Sequence, residues 1–301
     1  MKHIISFSGG AGSFATAKRA KEKYGKESLV AVFCDTLIED GDLYRFLLDT
    51  AKYIFEMDVS EELSNLCNNV PELWEDEQMR YTHLYALCSV WNKEFGDKFV
   101  YLQDGRDVWQ IFEKHRWVGN SRTAHCTVDL KGGLFRQWIE KAYTPEECVI
   151  HFGFDWSEAH RLETAKKNWT PYACEAVLCE PPYLQRNQIM QMIDDAEIDI
   201  PRLYELGFSH NNCGGFCVKA GLKHFKNLKE KMPELYNYHA EKYQALASKL
   251  PTARPFLKKQ VGGKKGYITM VEYSGMLDGK SNDLQEALIN DRSSACQCFV
   301  A

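Results

Sequence analysis

Hydrophobic positions along this chain follow two periods. Short runs that are apolar nearly throughout recur at 3–8 (His-Ile-Ile-Ser-Phe-Ser), 28–34 (Ser-Leu-Val-Ala-Val-Phe-Cys), Lys98 to Leu102, Cys148 to Phe152 and Ala173 to Leu178. Runs of this kind suit parallel strands covered on both faces. Segments with helical spacing lie between them: Ser13 to Tyr24, Asp42 to Met57, Met79 to Phe95, Val108 to His115, Asp129 to Ala142, Ser157 to Lys167 and Gln185 to Ala196. Strand and helix in alternation predict an α/β fold with a doubly wound parallel sheet. A ligand of such a sheet sits outside the carboxyl ends of its strands. Ser8 to Ser13, Asp35 to Asp40, Gln103 to Asp107 and Gly153 to Glu158 fall at those ends, so they are expected to face one crevice.

The pattern changes after about Pro201. Residues 218–250 read as mostly helical, with Pro233 opening a second helix, and 251–280, rich in Lys, Gly and Tyr, read as a loop or hairpin. The expected organisation is an α/β domain over 1–217, followed by a mainly helical C-terminal subdomain over 218–301 that ends in a Cys-x-Cys tail. No internal repeat or low-complexity segment interrupts this.

The 301 residues are 45% hydrophobic and 26% charged, ordinary proportions for a globular chain. A formal net charge of −5 lacks the broad basic footprint of a non-specific nucleic-acid binder. No stretch approaches the roughly 20 apolar residues of a membrane helix. Met1-Lys2-His3 runs straight into a strand-like segment with no signal-peptide pattern, so a cytoplasmic location is expected. The eleven cysteines, odd in number and irregularly spaced, match a disulfide framework poorly. Cys34, Cys67, Cys88 and Cys148 read as core residues.

Ser8-Gly9-Gly10-Ala11-Gly12-Ser13 lies between a strand and a helix. Glycines let backbone N–H groups approach an anion, and the helix start adds partial positive charge. The hydroxyls of Ser8 and Ser13 add further donors. A glycine loop also serves as a plain tight turn. No Gly-Lys-Ser/Thr follows, so this is not a Walker A loop. A dinucleotide fingerprint fits loosely through Gly10, Gly12 and Ala15, with Asp35 as its ribose acid.

The loop resembles the pyrophosphate loop of the adenine nucleotide α-hydrolase-like (PP-loop) superfamily, and its closest branch looks like the phosphoadenosine phosphosulfate (PAPS) reductase-like family. Four further segments agree in order. Phe33 to Asp40 resembles that family's Asp-Thr-Gly-x-Glu segment, and Cys126 to Lys131 its Cys-x-x-x-Leu-Lys. Gly153 to Arg161 is similar to its Gly-x-Arg-x-Asp-Glu-Ser-x-Arg, and Leu203 to Phe208 followed by Cys213 and Cys217 to its ending. The resemblance covers roughly residues 3–220. It departs at Gly12, where the pyrophosphatase members carry an Asp, at His125-Cys126, where the reductases carry two cysteines, and in lacking their Glu-Cys-Gly-(Ile/Leu)-His tail.

The resemblance implies ATP or a related adenine nucleotide held by Ser8, Gly9, Gly10, Ala11, Gly12 and Ser13. It implies phosphate or sulfate contacts from basic residues near the third strand end, Arg106, Arg116, Arg122 and above all Lys131, and from Arg161. Asp35, Thr36 and Glu39 read as ribose or Mg2+ ligands, with helix capping as the alternative for Asp35. Lys131, Asp35 and Glu39 are the expected catalytic group. Cys213-x3-Cys217 and Cys296-x-Cys298 together read as ligands of Zn2+ or an iron–sulfur cluster, as structural cysteines, or as a nucleophilic tail. The expected activity is adenylation of an acceptor or sulfur transfer, with nucleic-acid or nucleotide acceptors among those open. The alternatives are a sulfonucleotide reductase acting through Cys296 or Cys298, and a non-catalytic nucleotide-binding module.

Overall fold

The computed structural model describes residues 1–120, 123–279 and 282–291. Cys296, Cys298 and Arg122 lie outside the described residues. Five strands, β1 (Lys2–Phe7), β2 (Leu29–Asp35), β3 (Phe99–Gln103), β4 (Cys148–His151) and β5 (Ala173–Glu175), form one parallel sheet in the order β3-β2-β1-β4-β5. The register runs His3 opposite Leu29, Ala31 opposite Phe99, and Ile5 opposite His151.

Residues of alternate parity on each strand point to opposite faces, and here they enter two separate cores. Ile5, Phe7, Ala31, Phe33, Phe99 and Tyr101 join one cluster with Phe14 and Ala17 of α1 (Ala11–Tyr24), Phe46 and Leu47 of α2 (Gly41–Phe55), and Leu84 and Trp91 of a later helix (Glu77–Phe95). Ile4, Val30, Val32, Cys34 and Ile150 join the other with Phe135 and Ile139 of Gly133–Ala142 and Ala165 of Ala159–Asn168. Helices therefore cover both faces, which is why β2 is apolar without interruption. Each fully buried Phe or Ile contributes about 1.5–3 kcal/mol.

Some expectations need adjustment. α1 begins at Ala11, two residues early, because Gly10 takes the extended N-cap conformation. A short helix α3 (Glu61–Asn68), capped by Ser60, precedes α4 (Glu77–Phe95). After α5 (Val108–His115), the expected helix over 129–142 opens as a π-turn, Thr127–Gly132, before becoming α6 (Gly133–Ala142). The helix expected from Ser157 starts as a 3-10 turn at Trp156 and continues as α7 (Ala159–Asn168). Of the expected strand 173–178 only Ala173–Glu175 pairs, and Val177–Cys179 turns away.

The chain continues through α8 (Arg186–Asp194), α9 (Arg202–Glu205), α10 (Leu222–Lys231) and α11 (Pro233–Lys249). An antiparallel hairpin of β6 (Leu257–Val261) and β7 (Lys264–Ile268) follows, then α12 (Met270–Gly279) and α13 (Asn282–Ile289). Phe225, Tyr236, Tyr243 and Phe256 belong to the same cluster as Phe7 and Phe33. Trp109 Nε1 donates to His239 Nδ1 at 3.1 Å, tying α5 to α11. No helix among the described residues is long and apolar enough to cross a membrane.

Candidate anion-binding cleft

Strand order reverses between β1 and β4, and the turns leaving those two strands meet there. They touch backbone to backbone: a Cβ on Gly12 would lie 3.1 Å from the Gly153 carbonyl oxygen. That contact is tighter than most real Cβ contacts, so the aspartate that the pyrophosphatase pattern carries at this position would require the Gly153 turn to give by a few tenths of an ångström.

The loop is tied down by residues about 200 positions further along. Asn211 Nδ2 donates to the Gly9 carbonyl at 2.8 Å. Asn212, turned so that its nitrogen faces acceptors, donates to the Ser8 carbonyl at 2.9 Å. The Ala11 N–H donates to the Tyr204 hydroxyl at 3.0 Å. Ser13 closes the helix start on itself: its Oγ accepts from the Gly10 N–H at 3.1 Å and donates to the Gly10 carbonyl at 2.7 Å. Three of the loop's N–H groups, those of Gly10, Ala11 and Ser13, are thus engaged, whereas that of Gly12 makes no hydrogen bond among the described residues. The Tyr204 hydroxyl still has its own proton to donate.

The resulting cleft of about 110 Å3 is lined by Ser6, Ser8, Gly10, Gly12 and Ser13, by Gly153, Glu158 and Arg161, and by Tyr204, His210, Asn211 and Asn212. Complete small-molecule pockets enclose roughly 300–1,000 Å3. This cleft therefore fits a phosphate-like head group, with the rest of any nucleotide outside it. Among the described residues, Ser6 Oγ, His210 Nε2 and Asn211 Oδ1, buried polar atoms of its lining, have no partner. Each such atom costs about 1–3 kcal/mol if it stays unpaired.

Arg161 in the lining and Arg186 nearby bring positive charge to the cleft, and Glu158 in the same lining offsets part of that charge. Arg161 pairs with Glu158 and lies over the Phe154 ring at 4.4 Å. Arg186 lies over the Tyr204 ring at 5.5 Å and donates to the Ser209 carbonyl at 2.9 Å. Burial, and then the charges of Arg186, His224 and Arg161, push the His210 pKa down to about 4. His210 is therefore neutral near pH 7, and an anion beside it would favour its protonated form.

Other expected site residues lie elsewhere. Asp35 is fully buried and accepts from the Tyr44 hydroxyl at 3.0 Å, from Tyr101, and from the Leu37 N–H at 2.8 Å. Burial, together with the nearby Glu39 charge, raises its pKa to about 6 against the effect of those donors. Glu39, also buried, accepts from Thr36 at 2.9 Å, from Lys131 Nζ at 3.2 Å and from the Cys213 N–H. The carboxylates expected to hold Mg2+ are thus enclosed and already engaged, and they do not fit that role. Lys131 is likewise buried in its ion pair, 3.6 Å from Cys213 Sγ, and does not line the cleft. Arg106 pairs with Asp104 at the exit of β3 and reaches neither site.

Thr36, Cys126, Lys131, Cys213 and Cys217 share a second, much narrower pocket of about 10 Å3. It is closed by the 213–215 turn, which presses on the β2 loop so closely that a Cβ on Gly214 would meet the Ile38 carbonyl at 2.3 Å. Cys126, Cys213 and Cys217 do not come together as a set of three at metal-ligand spacing. Cys296 and Cys298, the other two residues of the expected four-cysteine site, lie outside the described residues.

The structure thus gathers Ser8, Gly10, Gly12, Ser13 and Arg161 into the cleft and separates Asp35, Glu39, Lys131 and Arg106 from it. Sequence reasoning missed Ser6, Arg186, Tyr204, His210 and Asn211 as parts of the site. Tyr204 and His210 sit inside segments already singled out, but nothing local marks their side chains as reaching the first strand's exit. The molecule is an α/β protein whose parallel sheet carries an anion-sized cleft at its strand-order reversal. No family model and no curated protein matches the chain.

Proposed function

We propose that the chain is a PP-loop protein of the PAPS reductase-like kind that binds an adenine nucleotide by its phosphates. The observation that carries this reading is the set of Ser6 Oγ, His210 Nε2 and Asn211 Oδ1, unpaired among the described residues and buried in a cleft at a helix start. Ser6, neutral His210 and the Gly12 N–H supply donors to phosphate oxygens, and Arg161 supplies charge. Asn211 Oδ1 needs a donor, and a nucleotide hydroxyl provides one. The activity is then adenylation or sulfur transfer by a nucleotide-dependent enzyme. Mg2+, if used, is held mainly by the nucleotide's own phosphates.

Titration calorimetry with ATP, ADP, PAPS, adenosine 5′-phosphosulfate, pyrophosphate and adenosine tests this. Phosphorylated ligands should bind, pyrophosphate should compete with them, and adenosine should fail. Adenosine binding as tightly as ADP, or no binding by any of them, would end the proposal.

A second reading is favoured by the enclosed state of Asp35 and Glu39: a nucleotide-binding module that does not cleave ATP. Pyrophosphate–ATP isotope exchange over a panel of acceptors separates the two. Exchange supports the enzyme, and nucleotide binding without exchange supports the module.

A further inference from the structure

Away from the cleft, the C-terminal end of α5 and the turn leading into α6 bring three metal-ligating side chains together. His115, His125 and Asp129 each offer a ligand atom, and these atoms lie within 4.8 Å of one another. They form the one such group of three among the described residues. The His115 and His125 rings lie flat on each other, 3.8 Å apart at 2°. His115 Nε2 lies 3.0 Å from Asp129 Oδ2. His125 and Asp129 are four residues apart across the helical turn that becomes the π-turn, which puts them on one face.

We propose that His115, His125 and Asp129 bind one divalent transition-metal ion, zinc in the first instance, with the fourth position open to water or an outside ligand. Two imidazoles and a carboxylate are a borderline donor set that suits zinc. Tetrahedral zinc with bonds near 2.1 Å needs ligand atoms roughly 3.3–3.5 Å apart. The His115–Asp129 separation is already that short; because the two stacked rings present their in-plane lone pairs in parallel, the imidazoles have to turn, and His125 to draw in, for both to face one ion. All three residues are partly exposed, which leaves a path for the ion. Lys114 Nζ now sits 3.0 Å from the same Asp129 oxygen, and as a half-exposed cation it can swing away when the metal takes its place.

The consequence concerns the neighbouring pocket. Asp129 lies inside the π-turn that carries Lys131, and Cys126 stands between the two other ligand positions 125 and 129. A bound ion would clamp α5 to that turn. π-turns are found frequently at functional sites, and here the clamp would fix the positions of Lys131 and Cys126.

The test uses the full chain carrying Cys213→Ser, Cys217→Ser, Cys296→Ser and Cys298→Ser, stripped with chelator and titrated with Zn2+ and with Co2+. One equivalent should bind. The cobalt form should show visible d–d absorption without the near-ultraviolet sulfur-to-cobalt charge-transfer band of cysteine ligands. His125→Ala should weaken binding by at least about tenfold, the low end of what losing even an outer-shell partner costs. Asp129→Asn keeps the side chain's shape and gives the same readout should His125→Ala fold poorly. Unchanged affinity in Asp129→Asn, a sulfur charge-transfer band, or no binding would overturn the proposal.

Discussion

The Gly153 carbonyl oxygen stands 3.1 Å from the position a Gly12 side chain would occupy, and Gly12 and Ser13 backbone atoms crowd the matching position on Gly153 at 3.2 Å. Two turns from different strands thereby share one backbone contact across the sheet's switch point. Gly12→Asp must push them apart. It should cost about 1–3 kcal/mol of stability, the usual range for overpacking, and weaken nucleotide binding as well. Denaturant unfolding and calorimetry measure both. A variant as stable as the parent that binds magnesium–ATP more tightly would contradict this account.

Tyr204 takes the Ala11 N–H at the helix start. Tyr204→Phe leaves that donor unpaired and should lower the stability of the ligand-free protein by about 1 kcal/mol, the usual net worth of such a bond. With saturating sulfate the gap between variant and parent should narrow, because the anion accepts the released N–H. Thermal melts with and without sulfate check this. A gap that widens with sulfate would make the tyrosine hydroxyl an indispensable anion donor.

His210 gives a pH signature. Its pKa is held at about 4 in the folded chain, below the ordinary 6.5, by burial and neighbouring cations. As pH falls through the window from 6.5 to 4, the unfolded chain takes up a proton that the folded chain refuses. Stability contributed by this group is therefore lost as pH falls across that window and is constant above it. An anion in the cleft should raise the pKa, so sulfate, which does not itself titrate there, should bind more tightly at the acid end. Melts and sulfate titrations across the window read both effects. In His210→Gln both slopes should flatten.

Lys131 and Glu39 form a buried ion pair. Lys131→Met leaves the carboxylate buried beside the Thr36 hydroxyl and the Cys213 N–H, and should cost about 3–5 kcal/mol, the scale for breaking such a pair. Adding Glu39→Gln should recover part of that loss. ADP affinity, measured where the variants remain folded, should hardly change, because neither residue lines the cleft. A large loss of ADP affinity in the double variant would return Lys131 to the nucleotide site.

Much of this architecture was legible because the parallel sheet leaves a plain mark. Leu29 to Cys34 is apolar at every position, and both parities of β2 are buried, one into each core. The phosphate loop was readable for a similar reason, since glycines between a strand and a helix are a local signal. The short helix Glu61–Asn68 was not, because it buries only Leu63 and Cys67. The enclosure of Asp35 and Glu39 was not legible because some of their partners are remote: Tyr101 lies 66 residues from Asp35, and Cys213 lies 174 from Glu39. Asn211 meets Gly9 across 202 residues, so no spacing rule announces the contact. His115 and His125 stack across a separation of ten residues that no helical spacing announces.

Amide resonances of the isotope-labelled protein, followed during titration with ADP, address the nucleotide reading most directly. Gly9, Gly12 and Ser13 should shift first and saturate together with the His210 ring signals, while residues around Asp35 and Lys131 stay nearly still. Saturable ADP binding that leaves Gly9, Gly12 and Ser13 unmoved would put the nucleotide somewhere else on the molecule and remove the cleft's assigned role.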